Sequence, residues 1–312
     1  MFKSKATLLI YFILKIEDHD EVPESNKEIK TFVRLMKKFQ KQKIRFGYAV
    51  SRPIGTMSLK DLSTIQPERV SFHFDLQAVY IKHLISRICE IPDKGFSNIT
   101  NLQFIITAPF SDIYNKLSDK YKYFNNLKIL LISLKYMTRE VHQPIIVDRE
   151  RQGLFIKSLL KPIKSLQILK LERMPLNKLT NLNETLARYF PELKALYLTY
   201  YIKLPLPIDD DFFMPFRNLE AIFIQCPGKR EWSFPKSLRM INLFCNRNPR
   251  LTTGSHWDQP QSCACFDSAR PFNVFVDNGK RRGIQTRIFM EKLVDYELYL
   301  RCCEVFRMKN FE

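Results

Sequence analysis

Short aliphatic runs recur through the middle of the chain, and five share one spacing of apolar and polar positions. They read Leu127-Lys-Ile-Leu130-Leu-Ile132, Leu166-Gln-Ile-Leu169-Lys-Leu171, Leu193-Lys-Ala-Leu196-Tyr-Leu198, Leu219-Glu-Ala-Ile222-Phe-Ile224 and Leu238-Arg-Met-Ile241-Asn-Leu243. A looser copy, Leu102-Gln-Phe-Ile105-Ile-Thr107, is polar at its last position. One residue separates the last two aliphatic positions, which is the alternation of a strand, so each run predicts a short strand with its aliphatic side chains turned to one side. The leading leucines at 102, 127, 166, 193, 219 and 238 stand 25, 39, 27, 26 and 19 residues apart. A proline precedes each of the last four runs: Pro162, Pro191, Pro215 and Pro235. Proline at that point ends a return segment and turns the chain back toward the next strand.

One such unit cannot cover its own aliphatic face, so neighbouring units must stack. Most of the steps approach the period of 20–29 residues found in leucine-rich repeats. The long step accommodates an insertion over residues 138–160, and the short one needs a tight connection through residues 226–235. The return segments include a helix over Leu182–Phe190 and a short acidic-started stretch, Asp209–Met214. The expected fold is therefore α/β, a leucine-rich-repeat solenoid. Parallel short strands line its concave face, helices and irregular turns its convex face, and helical caps close its ends.

The flanks carry other patterns. Ile29, Phe32, Val33, Met36 and Phe39 fall at helical spacing within residues 25–45, with Ser25 and Glu28 in the order of a capping box. Arg34, Lys37, Lys38, Lys41, Lys43 and Arg45 make that helix basic. Arg69–Asp75 alternates as a strand does, and Leu76–Ile88 reads as a helix. Beyond Leu243 the repeat fades: residues 245–271 are loop-like, Asn273–Val276 suits a last strand, and Ile284–Phe306 suits a capping helix. These patterns divide the chain into a basic helical cap region (1–68), the solenoid (69–250) and a C-terminal segment with loop, strand and capping helix (251–312).

Alternation along the strands also picks out a working surface. Residues between the inward aliphatics face the concave side. The residues chosen as a partner-binding face are Phe104, Leu131, Lys170, Glu172, Tyr197, Thr199, Phe223, Gln225, Asn242 and Phe244. An apolar and aromatic surface of this kind suits a protein partner. The alternative is that a terminal segment folds over the same face and buries it.

Composition narrows the classes. The chain has 312 residues, 45% of them hydrophobic, enough for a substantial core. Eight glycines and no Gly-rich loop argue against a nucleotide-binding design. Fifty Lys+Arg against 32 Asp+Glu give a net charge of +18, which draws polyanions and makes nucleic acid the alternative partner, through the basic surface. The seven cysteines have no framework spacing, which suits a reduced protein of the cytoplasm or nucleus. The apolar run Ala6–Leu14 is shorter than the roughly 20 residues of a membrane span, so a buried strand or helix start is expected and no membrane span. The sequons at Asn98 and Asn183 do not outweigh the cysteine pattern.

No catalytic constellation emerges. The five histidines are scattered, and no Ser sits in a Gly-x-Ser-x-Gly turn. His256, Cys263 and Cys265, with Cys245, match no common zinc spacing, and free thiols in an irregular loop is the preferred reading. Lys280-Arg281-Arg282 with Arg287 forms a basic cluster that suits phosphate or simply solvent. The expectation is a non-enzymatic scaffold with no cofactor and no metal.

The runs LKILLI, LQILKL, LKALYL, LEAIFI and LRMINL resemble the irregular leucine-rich repeats of F-box-type eukaryotic proteins over roughly residues 96–250. That resemblance implies a repeat surface that selects a substrate for a ubiquitin ligase, and an adaptor of that ligase as a second partner. An F-box opening of the Leu-Pro-x-Glu-Ile type is missing from the first 90 residues.

Overall fold

The computed structural model describes residues 10–14, 25–42, 46–50, 69–74, 99–106, 124–134, 160–173, 181–199, 209–225, 232–246, 272–281 and 284–306. The chain divides into two units, Met1–Ser165 and Leu166–Glu312. The division falls inside the segment expected to be one solenoid.

The first unit contains strands β1 (Ile10–Leu14), β2 (Phe46–Val50), β3 (Arg69–Phe74), β4 (Asn101–Ile106) and β5 (Ile129–Leu134), with helix α1 (Ser25–Lys41) between the first two. Each strand pairs in parallel with the next. A parallel pair needs a crossover, and α1 supplies it for β1 and β2. The apolar run near the N-terminus thus yields a strand at Ile10–Leu14. Within α1, Met36 is buried while Arg34, Lys37, Lys38 and Lys41 are exposed, as the amphipathic pattern predicts. The helix begins at Ser25 itself. The helix expected at Leu76–Ile88 lies outside the described residues.

The second unit contains β6 (Ile168–Glu172), β7 (Ala195–Thr199), β8 (Ala221–Gln225), β9 (Met240–Asn246), β10 (Val274–Arg281) and β11 (Ile284–Met290), with helices α2 (Leu182–Tyr189) and α3 (Tyr296–Phe306). β6 to β9 are parallel neighbours. β11 pairs antiparallel with β9 on one side and with β10 on the other. The fold is thus α/β, with mostly parallel strands and few helices among the described residues.

One backbone bonding pattern repeats at successive strands. The carbonyl that follows a leading aliphatic residue accepts two consecutive N–H groups from the next strand's approach. Gln167 O accepts from Lys194 N and Ala195 N at 2.7 and 3.0 Å, and Lys194 O from Glu220 N and Ala221 N at 2.8 and 3.0 Å. Glu220 O accepts from Arg239 N and Met240 N at 2.9 and 3.1 Å. In the first unit Thr100 O accepts from Lys128 N and Ile129 N at 2.8 and 3.0 Å. Serines placed one residue before a leading leucine add a second link. Ser165 Oγ donates to Leu127 O, and Ser237 Oγ to Leu219 O, both at 2.9 Å.

The turn into each strand shares a further feature. An apolar residue stands three positions before the leading leucine: Phe124, Ile163, Phe190, Phe216 and Pro235, all buried. The leucine N–H then bonds back to that residue's carbonyl at Leu127, Leu193 and Leu238. The prolines noted in the sequence sit in or beside these turns, but the apolar anchor is the feature common to all five.

The leading and inward aliphatic residues of the second unit are buried, from Leu166, Leu169 and Leu171 to Leu238, Ile241 and Leu243. Each contributes about 2 kcal/mol through removal from water. Leu182 and Leu186 of α2 join them, as do the return-segment rings Phe212, Phe213, Phe216 and Trp232. Phe213 meets Trp232 edge-on at 6.0 Å and stacks against Phe234 at 6.0 Å.

Two expectations need correction. Ile284–Met290 is a strand and not the first half of a helix: Thr286, Ile288 and Met290 are all buried with a period of two, which a helix would not give. Only the part from Tyr296 onward is α-helical, after a 3₁₀ turn at Leu293–Asp295. The looser repeat copy is also displaced by three residues. Leu102 pairs with Leu130 and Phe104 with Ile132, so Ile99, not Leu102, holds the leading position of that strand. Isoleucine fills that place as well as leucine, so a pattern written in leucine admits both registers.

Candidate functional site: the aromatic face beneath the C-terminal helix

Because strand side chains alternate, the residues between the inward aliphatics of β6 to β9 form a row on the opposite face. The register aligns Lys170 with Tyr197, Tyr197 with Phe223, and Phe223 with Asn242. Ile288 of β11 continues the row beside Asn242, and Thr286 lies beside Phe244. Tyr197 and Phe223 stack at 6.3 Å between ring centroids, and Phe244 lies 5.6 Å from Tyr197.

α3 covers this row. Its buried residues Tyr299, Cys302, Cys303 and Phe306 recur at the three- and four-residue spacing of one helix face. The Phe306 ring centroid lies 5.0 Å from that of Phe223 and 5.3 Å from that of Tyr197. Tyr299 stacks on Phe223 at 6.1 Å with an interplanar angle of 11°. At the end of the helix the Lys170 ammonium donates to the Phe306 carbonyl oxygen at 3.0 Å. The same ammonium pairs with Glu172 at 3.1 Å and lies 4.7 Å from the Tyr197 ring centre. A cation at a helix C-terminus meets the negative end of the helix dipole as well as an unpaired carbonyl.

The start of the helical segment is held separately. Asp295, nearly fully buried, accepts from the Lys292 N–H at 3.0 Å and forms an ion pair with Arg239. Arg239 also approaches Glu220 at 3.7 Å, and Glu220 pairs with Lys194 at 3.3 Å. α3 thus runs across the strands, its beginning near β9 and its end at β6. Three inter-strand steps span about 14 Å, and an 11-residue helix about 16 Å, so the helix length matches the width of the row.

Burial sets the electrostatics of the site. It pushes the Tyr197 hydroxyl well above its ordinary range, with the Glu172 carboxylate adding to the effect. Burial, reinforced by the neighbouring Cys303, pushes the Cys302 thiol up to about 12, and burial pushes Cys303 up to about 11. At neutral pH all three groups are protonated and poorly suited to nucleophilic work. Asn242 is fully buried, and neither its Oδ1 nor its Nδ2 has a hydrogen-bond partner; the buried Thr286 Oγ1 is likewise unpaired.

Among the residues expected to form the binding face, Lys170, Tyr197, Phe223, Asn242 and Phe244 come together here, with Glu172 and Thr199 at the ends of their strands. Gln225 pairs with Phe244 in the ladder. Phe104 and Leu131 belong to the other unit. Phe104 sits on the inward side with Ile132, and Gln103, not Phe104, is the residue beside Leu131. The face is not open: Tyr197, Thr199, Phe244 and Lys170 are at most 9% exposed. The sequence reading assigned the C-terminal helix to the end of the strands and so missed Tyr299 and Phe306. Their spacing with Cys302 and Cys303 was the available signal.

A concavity of about 400 Å³ lies between the end of α2 with the turn after it and residues 215–218, with Arg188, Glu192 and Arg217 in its lining. Among the described residues no group of three or more His, Cys, Asp or Glu could hold one metal ion. His256, Cys263 and Cys265 lie outside the described residues. No helix among the described residues is long and apolar enough to cross a membrane. Comparison with protein-family models, with curated proteins and with solved structures gives no match for this chain.

Proposed function

We propose that this chain is an irregular leucine-rich-repeat protein that acts as a non-enzymatic scaffold for protein–protein interaction. The observation that carries the reading is the recurrence of one backbone bond pattern, from Gln167 O to Lys194 O to Glu220 O, at strands of the same aliphatic spacing. Such stacking produces extended surfaces with little conformational adjustment, which is how repeat proteins hold partners. In the F-box-like version of this role the partner is a substrate, and a ubiquitin-ligase adaptor binds elsewhere on the chain. Affinity purification of the tagged full chain with cross-linking mass spectrometry tests the reading. A stoichiometric protein partner cross-linked to residues 166–312 is the expected result, and recovery of a ligase adaptor would support the narrower version. The reading fails if no protein co-purifies in stoichiometric amount.

A second reading rests on charge. α1 exposes Arg34, Lys37, Lys38 and Lys41 along its length, and the chain carries +18. A nucleic-acid partner held by these groups would dissociate steeply as salt rises. Filter binding of RNA and duplex DNA at low and high salt separates this reading from the first: salt-insensitive or undetectable binding removes it.

A further inference from the structure

We propose that the outer face of α3 docks the basic face of α1 from a second copy of this chain. Of the five large apolar residues exposed among the described residues, Leu293, Val294 and Leu300 lie on α3 or in the 3₁₀ turn that leads into it. A fourth, Leu35, lies on α1.

The two helices carry the same spacing with opposite charge. Glu297, Leu300 and Glu304 follow Leu293 at steps of four, three and four, and all four are exposed. Such steps place side chains in one line along a helix. The line lies away from the buried face of Tyr299, Cys302, Cys303 and Phe306. Neither Glu297 nor Glu304 has an ion-pair partner among the described residues. Leu293 and Leu300, 69% and 50% exposed, thus alternate with two free carboxylates. On α1, Leu35, Lys38 and Gln42 follow Thr31 at those same steps, and again all four are exposed. Arg34, Lys38 and Lys41 run beside them at steps of four and three, while Met36 is buried.

Charge decides which faces meet. Two α3 helices laid together would set Glu297 and Glu304 against carboxylates, and two α1 helices would set cations against cations. An α1 laid on α3 sets Arg34 and Lys38 against Glu297 and Glu304, and Leu35 against Leu300. Like charges in contact are strongly disfavoured, and opposite ones fix partner and register. The net charge of +18 opposes self-association at long range. At physiological ionic strength charges more than about 8 Å apart are largely screened, so the local pairing prevails. Two copies that exchange α1 contacts reciprocally close a two-fold dimer, and copies that do not continue from one to the next. One helix pair of this length buries less than about 1,200 Å², the range of weak and transient contacts.

Sedimentation equilibrium of the full chain, at concentrations up to about 200 µM where weak contacts are populated, tests the pairing. Wild type is expected to self-associate. Glu297→Lys with Glu304→Lys in one chain, and Arg34→Glu with Lys38→Glu in another, should each weaken association at least about tenfold. An equimolar mixture of these two variants should associate again, because each α1 then meets an α3 of opposite charge. All four positions are exposed, and urea midpoints close to wild type confirm the fold of each variant. Leu300→Ala tests the apolar part of the contact and should also weaken association. The proposal is overturned if wild type stays monomeric, if either charge-reversed variant associates as strongly as wild type, or if the mixture stays monomeric. The scaffold reading asks for a different protein, so it stands or falls separately.

Discussion

The Lys170 ammonium donates a hydrogen bond to the Phe306 carbonyl oxygen across 136 residues of sequence, at 3.0 Å in buried surroundings. This contact joins the first strand of the second unit to the last turn of its last helix. It also explains why a charged residue is tolerated in a buried row. The ammonium is paired with Glu172, lies over the Tyr197 ring and satisfies a carbonyl that a helix end otherwise leaves unbonded.

Lys170→Met should therefore loosen α3 without unfolding the strands. A hydrogen bond to a charged group contributes about 1.5–3 kcal/mol, roughly a ten- to hundredfold change in the opening equilibrium of the helix. Amide exchange at residues 299–306 should accelerate by that factor while exchange in β7 and β8 stays slow. Unchanged exchange in α3 would show that the bond carries no net stabilisation.

Phe223 is the centre of the ring cluster, touching Tyr197, Phe244, Tyr299 and Phe306, and it is fully buried. Phe223→Ala should cost about 3–5 kcal/mol in urea unfolding. Leu300→Ala, on the half-exposed outer side of the same helix, should stay within about 0.5 kcal/mol of wild type. Equal effects of the two substitutions would contradict the burial pattern.

Asn242→Leu offers the opposite sign. The amide loses its water on folding and finds no partner, at a cost of about 1–3 kcal/mol. An apolar side chain of similar size should raise the urea midpoint, and it should do so without any change in the slope of unfolding. A lower midpoint would mean that the amide is satisfied in solution.

Alkaline pH should destabilise the second unit. Cys302 and Cys303 have folded pKa values raised to about 12 and about 11 from an ordinary 9.0. The folded thiols thus stay protonated where the unfolded thiols ionise. Their contribution is complete below pH 9 and falls away as pH rises from there toward 11–12, by up to about 1.4 kcal/mol per pH unit for each thiol. Urea midpoints compared at about pH 8 and about pH 10 should show this loss, and Cys302→Ala with Cys303→Ala should reduce it. A slope that the double substitution leaves unaltered would place the titrating group elsewhere.

Much of the local structure was legible because strand and helix leave different periods. The spacing of Leu193, Leu196 and Leu198 predicts β7, and Ala195–Thr199 is that strand. Leu182–Phe190 reads as a helix, and Leu182–Tyr189 forms it. The reading failed where one pattern admits two registers or two periods. Ile99 stands where the other strands carry a leading leucine, and the leucine three residues on, Leu102, fits the same pattern. Ile284–Met290 was read as helix because its polar residues, Gln285, Thr286 and Arg287, interrupt the alternation; yet Thr286 is buried and faces the row. An unpaired hydroxyl in the core is a choice that packing makes and composition does not announce.

The sequence by itself determined that the four repeat segments of the second unit become strands β6 to β9, which of their side chains turn inward, and that Lys170, Tyr197, Phe223 and Asn242 stand in one row. These follow from local periodicity and from neighbouring strands that share a spacing. Only the tertiary structure decided what lies on that row. The contact between α3 and the strands joins residues 76 to 136 positions apart, from Phe223 with Tyr299 to Lys170 with Phe306, and its register depends on where Phe306, Tyr299 and the Lys170 ammonium fit together. No period along the chain encodes that fit. It arises because an amphipathic helix and an aromatic strand face each expose apolar surface that water disfavours, and each is the nearest cover for the other.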